Sequence, residues 1–363
     1  MSSPLTTGLC RLLGIRVPIV LAGMAGGPTT PELVAAVTEA GGLGTFGAAG
    51  MQRDALVDAI RRARALTKGP IAVNVLLAPP RPGTTEPEAF QAALAPIRDE
   101  LGLAPPSWPS TPAPTGVELV AAALEAGATV VSTGLGDPAP VVPLAREAGA
   151  PVLAMVATVA DAVQAAESGA DVIVAQGSEA GGHRSNFHVP AIGPPPMVGT
   201  VALVPQVVAA VDVPVVAAGG IMNGAGLVAA LALGAQGIQL GTRFLRTTES
   251  GANLGYRNRI ATAADTDTEI ITAFSGRPAR GLRNRVLDVL EAAGSPAIGY
   301  PRQGSAWADI KAASDRADSA DATTLWAGQA ASLARDEISA GDVVQQIIAE
   351  AEETLRRLGA FSW

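Results

Sequence analysis

One cysteine, Cys10, and two histidines, His183 and His188, are the only thiol and imidazole side chains in this 363-residue chain. A lone cysteine excludes an internal disulfide, and the three together fall short of a conventional zinc site, so no metal is expected. Aromatic residues make up only 3% of the chain, which argues against an aromatic-rich sandwich core. Lys and Arg number 25 against 33 Asp and Glu, a net charge of −8, and no basic stripe stands out. Nucleic acid is therefore not an expected partner, because displacing its counterions takes concentrated positive charge. Long apolar runs are missing too. The most apolar region, residues 200–222, is broken by Pro205, Gln206, Asp212 and Pro214, so no membrane span is expected. The start, MSSPLTTGLCRLLG, lacks the basic opening and apolar core of a secretion signal. A soluble cytoplasmic protein is the expectation.

What is present is interior material: 48% hydrophobic residues, 16% charged residues and 41 glycines. After Pro18 the run IVLAG ends in the glycines of residues 23–27, and Thr29, Thr30 and Pro31 then open an alanine-rich helical pattern. Strand, glycine turn and capped helix make a βα unit. The unit recurs, with strands expected at residues 42–47, 71–77, 129–134, 151–156, 171–177, 214–220 and 237–242. Helices are expected near 54–66, 117–126, 139–147, 159–168, 201–211 and 224–233, with Pro205 placed in the first turn of its helix. Eight strands alternating with helices over about 240 residues predict an α/β fold of the (β/α)8 barrel type.

The rhythm lapses in three places. Residues 78–115 are proline-rich and read as a lid, an inserted element or a mobile segment. Residues 178–199 carry both histidines, and residues beyond 243 exceed what a closing helix needs. In that tail, residues 275–285 (SGRPARGLRNR) read as a basic loop. Val343, Val344, Ile347, Ile348, Ala351, Leu355 and Leu358 mark one face of a final helix. The expected organisation is a barrel over 1–246 with 78–116 inserted as a lid, a cap segment over 247–319, and C-terminal helices over 320–363 returning to the barrel.

Chemistry is expected at residues 171–186, DVIVAQGSEAGGHRSN, where an apolar strand breaks into glycine and polar groups at its C-terminal end. Gly181 and Gly182 let the backbone approach a ligand, with the His183 imidazole at the rim. The ends of the seventh and eighth strands, with Gly219, Gly220, Gly241 and Thr242, offer backbone N–H groups as a phosphate seat. Gly-Lys-Ser/Thr is absent from residues 219–226, and AGMAGG has the wrong spacing for a Rossmann turn. A ligand with one terminal phosphate, such as FMN, fits better than a dinucleotide held in Rossmann fashion. Asn74 and Gln176 are rare polar groups in apolar runs. Each is either a contact for a flavin ring or a core amide satisfied by backbone. Glu179 with His183 lacks a third ligand for a metal, and Ser178 lacks a G-x-S-x-G elbow. Trp108, Tyr256, Tyr300 and Trp326 line a substrate pocket or pack the cap.

These motifs, LAGMAGG (21–27), NVLL (74–77), AQGSEAGGH (175–183), AAGGI (217–221) and QLGTRFL (239–245), extended by GRPARGLRNR (276–285) and WAGQ (326–329), resemble the nitronate monooxygenases. The resemblance spans nearly the whole chain. It implies an FMN-containing barrel that oxidises alkyl nitronates with O2 to a carbonyl compound and nitrite, without NAD(P)H. It assigns Ala22, Gly23, Met24, Asn74 and Gln176 to the flavin, and Gly181, Gly219, Gly220, Gln239, Gly241 and Thr242 to the rest of the cofactor site. His183 matches the catalytic histidine. A small-molecule nitronate and O2 are then the partners, and a homodimer is left open. Two departures stand out: Ser185 and Asn186 after AGGHR where glycine is common, and STGLGDP at the fourth strand end without an aromatic. The same wider group contains NAD(P)H-dependent FMN reductases of enoyl thioesters and quinones, the alternative reading. A flavin-free phosphate-binding barrel is the third.

Overall fold

The computed structural model describes residues 5–104, 113–190 and 194–360. Its strands are β1 (Ile19–Leu21), β2 (Gly44–Gly47), β3 (Ile71–Leu76), β4 (Val130–Gly134), β5 (Val152–Val156), β6 (Val172–Gln176), β7 (Gly182–His183), β8 (Val215–Ala218), β9 (Gly237–Leu240), β10 (Thr268–Ile271) and β11 (Ala279–Leu282). Eight of them form one parallel sheet in the order β1-β9-β8-β6-β5-β4-β3-β2. The remaining seam, between β1 and β2, is bridged at Leu43, whose N–H donates to Ile19 and whose carbonyl accepts from Leu21, both at 2.9 Å. The result is a (β/α)8 barrel, as the alternation of apolar strands and helical patterns predicts.

Strict alternation along the strands decides what the barrel's inner face carries. Val20, Ala72, Val130, Leu153, Val172, Val174 and Val216 pack together in an inner cluster, closed below by Leu9, Cys10 and Leu13 of the helix Gly8–Leu13. Their sequence neighbours Ile19, Leu21, Val73, Val131, Ile173 and Ala217 face the helices. Counting by twos from the inner set places Asn74, Ser132, Gln176 and Gln239 on the inner face at the C-terminal mouth. The apolar plug closes the other end, and Cys10 is buried in it.

The helix closing the eighth βα unit comes late. Ala340–Gly359 packs against Gly224–Ala232 and Pro31–Glu39, about a hundred residues after β9. A Cβ on Gly224 would stand 2.2 Å from the Ala351 nitrogen, so glycine lets the two helices touch. Between β9 and that helix, the chain builds a second layer over the mouth. It contains the antiparallel sheet β10-β11-β7 and the helices Arg285–Ala292 and Ala308–Arg316. The helix Pro87–Glu100 joins it, and Phe90, Leu94, Ile97, Phe274, Leu290 and Trp307 form a separate hydrophobic core there. Arg98 fastens this helix with two hydrogen bonds to Asp309, at 2.8 and 3.1 Å.

The described part of 78–115 holds a regular helix, an inserted element that starts at Pro87 because proline is compatible with a first turn. Three local readings change. The helix expected from 139 starts at Val142, since the Asp137 side chain accepts the Ala139 N–H at 2.8 Å and holds a turn there. Pro205 lies inside Thr200–Ala210, beyond its first turn. The basic loop at 275–285 is partly the strand β11, buried along its length. Ile347 is 1% exposed on the final helix, whereas Leu358 is 45% exposed. Ile347→Ala is expected to cost about 2–4 kcal/mol in urea unfolding and Leu358→Ala less than about 0.5 kcal/mol, because only the first opens a cavity.

Candidate active site

Between the barrel mouth and the second layer lies a cavity of about 1240 Å³. Ala22, Gly23, Met24, Asn74, Gln176, Gly181, His183, Gly219, Gly220, Gln239, Gly241 and Thr242 all line it. The structure thus brings to one cavity every site residue named from the sequence. Tyr256, Tyr300 and Trp326 line it too, while Trp108 lies outside the described residues.

The wall is centred on residues 176–186, which leave β6 and cross the mouth almost without regular structure. Their backbone groups are satisfied one by one. The buried Arg184 guanidinium donates to the carbonyls of Gly177 at 2.7 Å and Gln176 at 3.0 Å. Arg280 donates to Ser178 O at 2.8 Å, and the Gln329 N–H to Glu179 O at 2.9 Å. Gly182 and His183 pair with Arg280 and Ala279 of β11. Gln176 closes the loop on itself: its amide N–H donates to His183 O and its amide oxygen accepts from Ser185 N, each at 2.9 Å. The amide of Gln176 is thus satisfied by backbone, and the same side chain lines the cavity. Asn74 donates to Ser132 Oγ at 2.9 Å.

Glycines are required where the walls meet. A Cβ on Gly181 would stand 2.7 Å from the backbone of Ala327 and Gly328, and one on Gly23 2.4 Å from Asn74 Cβ. Gly219 and Gly220 turn with φ of +114° and +73°. Among the described residues, no acceptor in the protein takes the N–H groups of Gly219, Gly220, Gly241 or Thr242. Such a set of unclaimed N–H groups suits an anionic oxygen. Glu179 also lines the cavity, but its carboxylate is engaged elsewhere. Its carboxylate accepts the Thr200 N–H at 2.9 Å and caps the helix Thr200–Ala210.

His183 Nε2 lies 2.8 Å from Ser275 Oγ. The Ser275 hydroxyl donates to Arg277 O at 3.2 Å and accepts the Arg277 N–H at 3.3 Å. With its single proton on Arg277 O, the hydroxyl would accept from Nε2–H and leave the lone pair on Nδ1. The ring packs beside Trp326, at 5.4 Å between centroids, and Tyr300, at 6.1 Å. Burial, and then the Arg277 charge, lower its pKa to about 4, so it is neutral at pH 7. Ser275 had no signal of its own in the sequence. It precedes the GRPARG motif and reaches His183 only because β11 pairs with β7.

A family profile described as nitronate monooxygenase matches residues 7–350. A Staphylococcus saprophyticus protein named as a probable nitronate monooxygenase is 36% identical over 355 residues, covering 97% of this chain and 99% of its own. The crystal structure of a nitroalkane oxidase from Streptomyces ansochromogenes superposes with a TM-score of 0.88 at 37% identity, covering 97% of this chain and all of that one. FabK from Thermotoga maritima superposes with a TM-score of 0.77 at 30% identity, over 98% of this chain and 99% of that one.

A histidine held neutral in the fold but free to charge when unfolded makes stability depend on pH. Because the folded pKa of His183 lies below its ordinary value, the unfolded chain binds more protons between about pH 6.5 and 4. The His183 contribution is present above that window and is lost as pH falls through it. Urea unfolding of the wild type and His183→Asn at pH 7, 6 and 5 is expected to show a shallower fall in the variant. Parallel curves would remove the linkage.

Proposed function

This chain belongs to the nitronate monooxygenase family of oxidoreductases, and from that premise we propose that it is an FMN-dependent oxidase of alkyl nitronates, yielding a carbonyl compound and nitrite with O2. The observation that carries the reading is the half-buried, neutral imidazole of His183, hydrogen-bonded to Ser275 and lining a cavity that also presents unclaimed N–H groups. The family is typically flavin-dependent, and the residues present fit FMN. The glycine turns at 219–220 and 241 suit its phosphate, and Asn74, on the barrel's inner face, keeps an amide oxygen without a partner among the described residues. Ala22, Gly23 and Met24 form the adjoining wall, where only glycine leaves room beside Asn74.

When bound, FMN supplies the electron acceptor for substrate and the donor to O2. The protein's part is proton control and orientation. Neutral His183 accepts the α-proton of a nitroalkane at Nδ1, while Nε2–H stays on Ser275. With a substrate that enters as the nitronate, no proton need move, and a negative charge beside the ring favours its protonated form. Trp326 and Tyr300 flank the ring.

The strand end at Gly134 favours a second reading, an NAD(P)H-dependent FMN reductase. An added Cβ there would meet Leu76 at 3.5 Å and Ser185 at 3.6 Å, ordinary contact distances, so the strand end has room for a side chain facing the cavity and carries none. One experiment separates the two. The anaerobic visible spectrum of the FMN-loaded protein is expected to bleach with ethylnitronate and to release nitrite when air is admitted. Bleaching with NADH or NADPH alone would move the protein to the reductase reading. His183→Asn is expected to lower kcat/KM for nitroethane by about 10²–10⁴-fold with FMN retained, the range of a lost general base.

A further inference from the structure

The side chain of Arg277 is 1% exposed and does not line the cavity, yet it joins three parts of the wall that does. Its terminal nitrogen donates to Asn186 O at 2.6 Å, behind Ser185, and to Leu135 O at 3.2 Å, at the end of β4. Its own backbone holds Ser275 Oγ, and Ser275 holds His183. The guanidinium carbon stands 5.9 Å from the centroid of the Tyr300 ring, which faces the cavity. Every hydrogen-bond partner of this guanidinium is a neutral carbonyl. Among the described residues no carboxylate pairs with it, and its Nε is buried without a partner.

A buried arginine without a counter-ion is unusual, because desolvation penalises the charge and a carboxylate normally offsets it. The guanidinium does not escape by losing its proton, since its ordinary pKa is above 12. Its field therefore reaches the cavity through protein rather than water and is screened little. Burial, and then the Arg81 charge, work against the Arg277 cation, while Tyr300, whose own pKa burial raises, is uncharged at pH 7 and does not neutralise it. A neutral donor would serve the same two carbonyls, so what the cation adds is a positive field that a neutral substrate does not use. A site for anions gains from one that stays out of chemical reach.

We propose that Arg277 is a positioning residue for this site: its carboxylate-free buried cation, set behind Ser275, Tyr300 and Asn186, makes the cavity select the anionic nitronate over the neutral nitroalkane. The selection of a nitronate rests on the proposed function, but selection of an anion does not, and the test keeps them apart. Acetate and acetamide share shape and differ in charge, and neither is oxidised. Calorimetric titration of the FMN-loaded wild type is expected to give acetate at least about tenfold tighter binding than acetamide. Arg277→Gln removes that preference while leaving acetamide within about threefold, and Arg277→Lys, which keeps the charge, retains it. Equal affinities of the wild type for the two ligands, or a preference that survives Arg277→Gln, would overturn the proposal, and the first result needs no variant to fold. If acetate is preferred through Arg277 but ethylnitronate is not oxidised, the nitronate reading fails and the anion site stands. If ethylnitronate is oxidised and acetate has no advantage, Arg277 has no such role.

Discussion

Everything at the mouth of this barrel depends on satisfying the backbone of residues 176–186. That segment crosses the top of a hydrophobic barrel, so each of its carbonyls needs a donor from the protein. Arginines supply them: Arg184 from within the segment and Arg280 from β11, with the Gln329 N–H arriving from the far end of the second layer. A guanidinium suits this work because it offers several donors in a fixed plane and serves two carbonyls at once. The consequence is mechanical. The loop bearing His183 cannot relax without exposing carbonyls that the barrel interior has no other means to satisfy.

The same solution sets the electrostatics. The chain is acidic overall, but its active-site wall is backed by Arg184, Arg277 and Arg280, all buried. Glu179, the nearby carboxylate, is committed to the Thr200 N–H. Loop architecture and site potential are therefore one feature, and the low pKa of His183 follows from both burial and the neighbouring cation.

The barrel was legible in the sequence because parallel strands covered on both faces are short, apolar and bounded by glycine, and nothing else in the chain imitates them. Asn74 and Gln176 stood out for the same reason, as amides in apolar runs. The second layer was harder to read. Arg277, Arg280 and Arg283 in close succession look solvent-exposed, yet the first two are buried on carbonyls, a use of charge that leaves no trace in hydropathy. The helix Pro87–Glu100 was hidden by the prolines around it and by Pro96 within it. Ser275 was silent because its role depends on the pairing of β11 with β7, two segments some ninety residues apart, and no local pattern reports that contact.

The late position of the last barrel helix has a consequence for how the protein is made. All eight parallel strands have been synthesised by Leu240, but the helix that covers Gly224–Ala232 and Pro31–Glu39 begins only at Ala340. At typical translation speeds those hundred residues take roughly 5–20 s to emerge. Throughout that interval the nascent barrel carries an uncovered apolar strip on its flank. The ribosome therefore delivers the substrate chamber's roof before the wall of the barrel is sealed, and a chain truncated after the second layer would leave that strip open to chaperones or to other nascent chains.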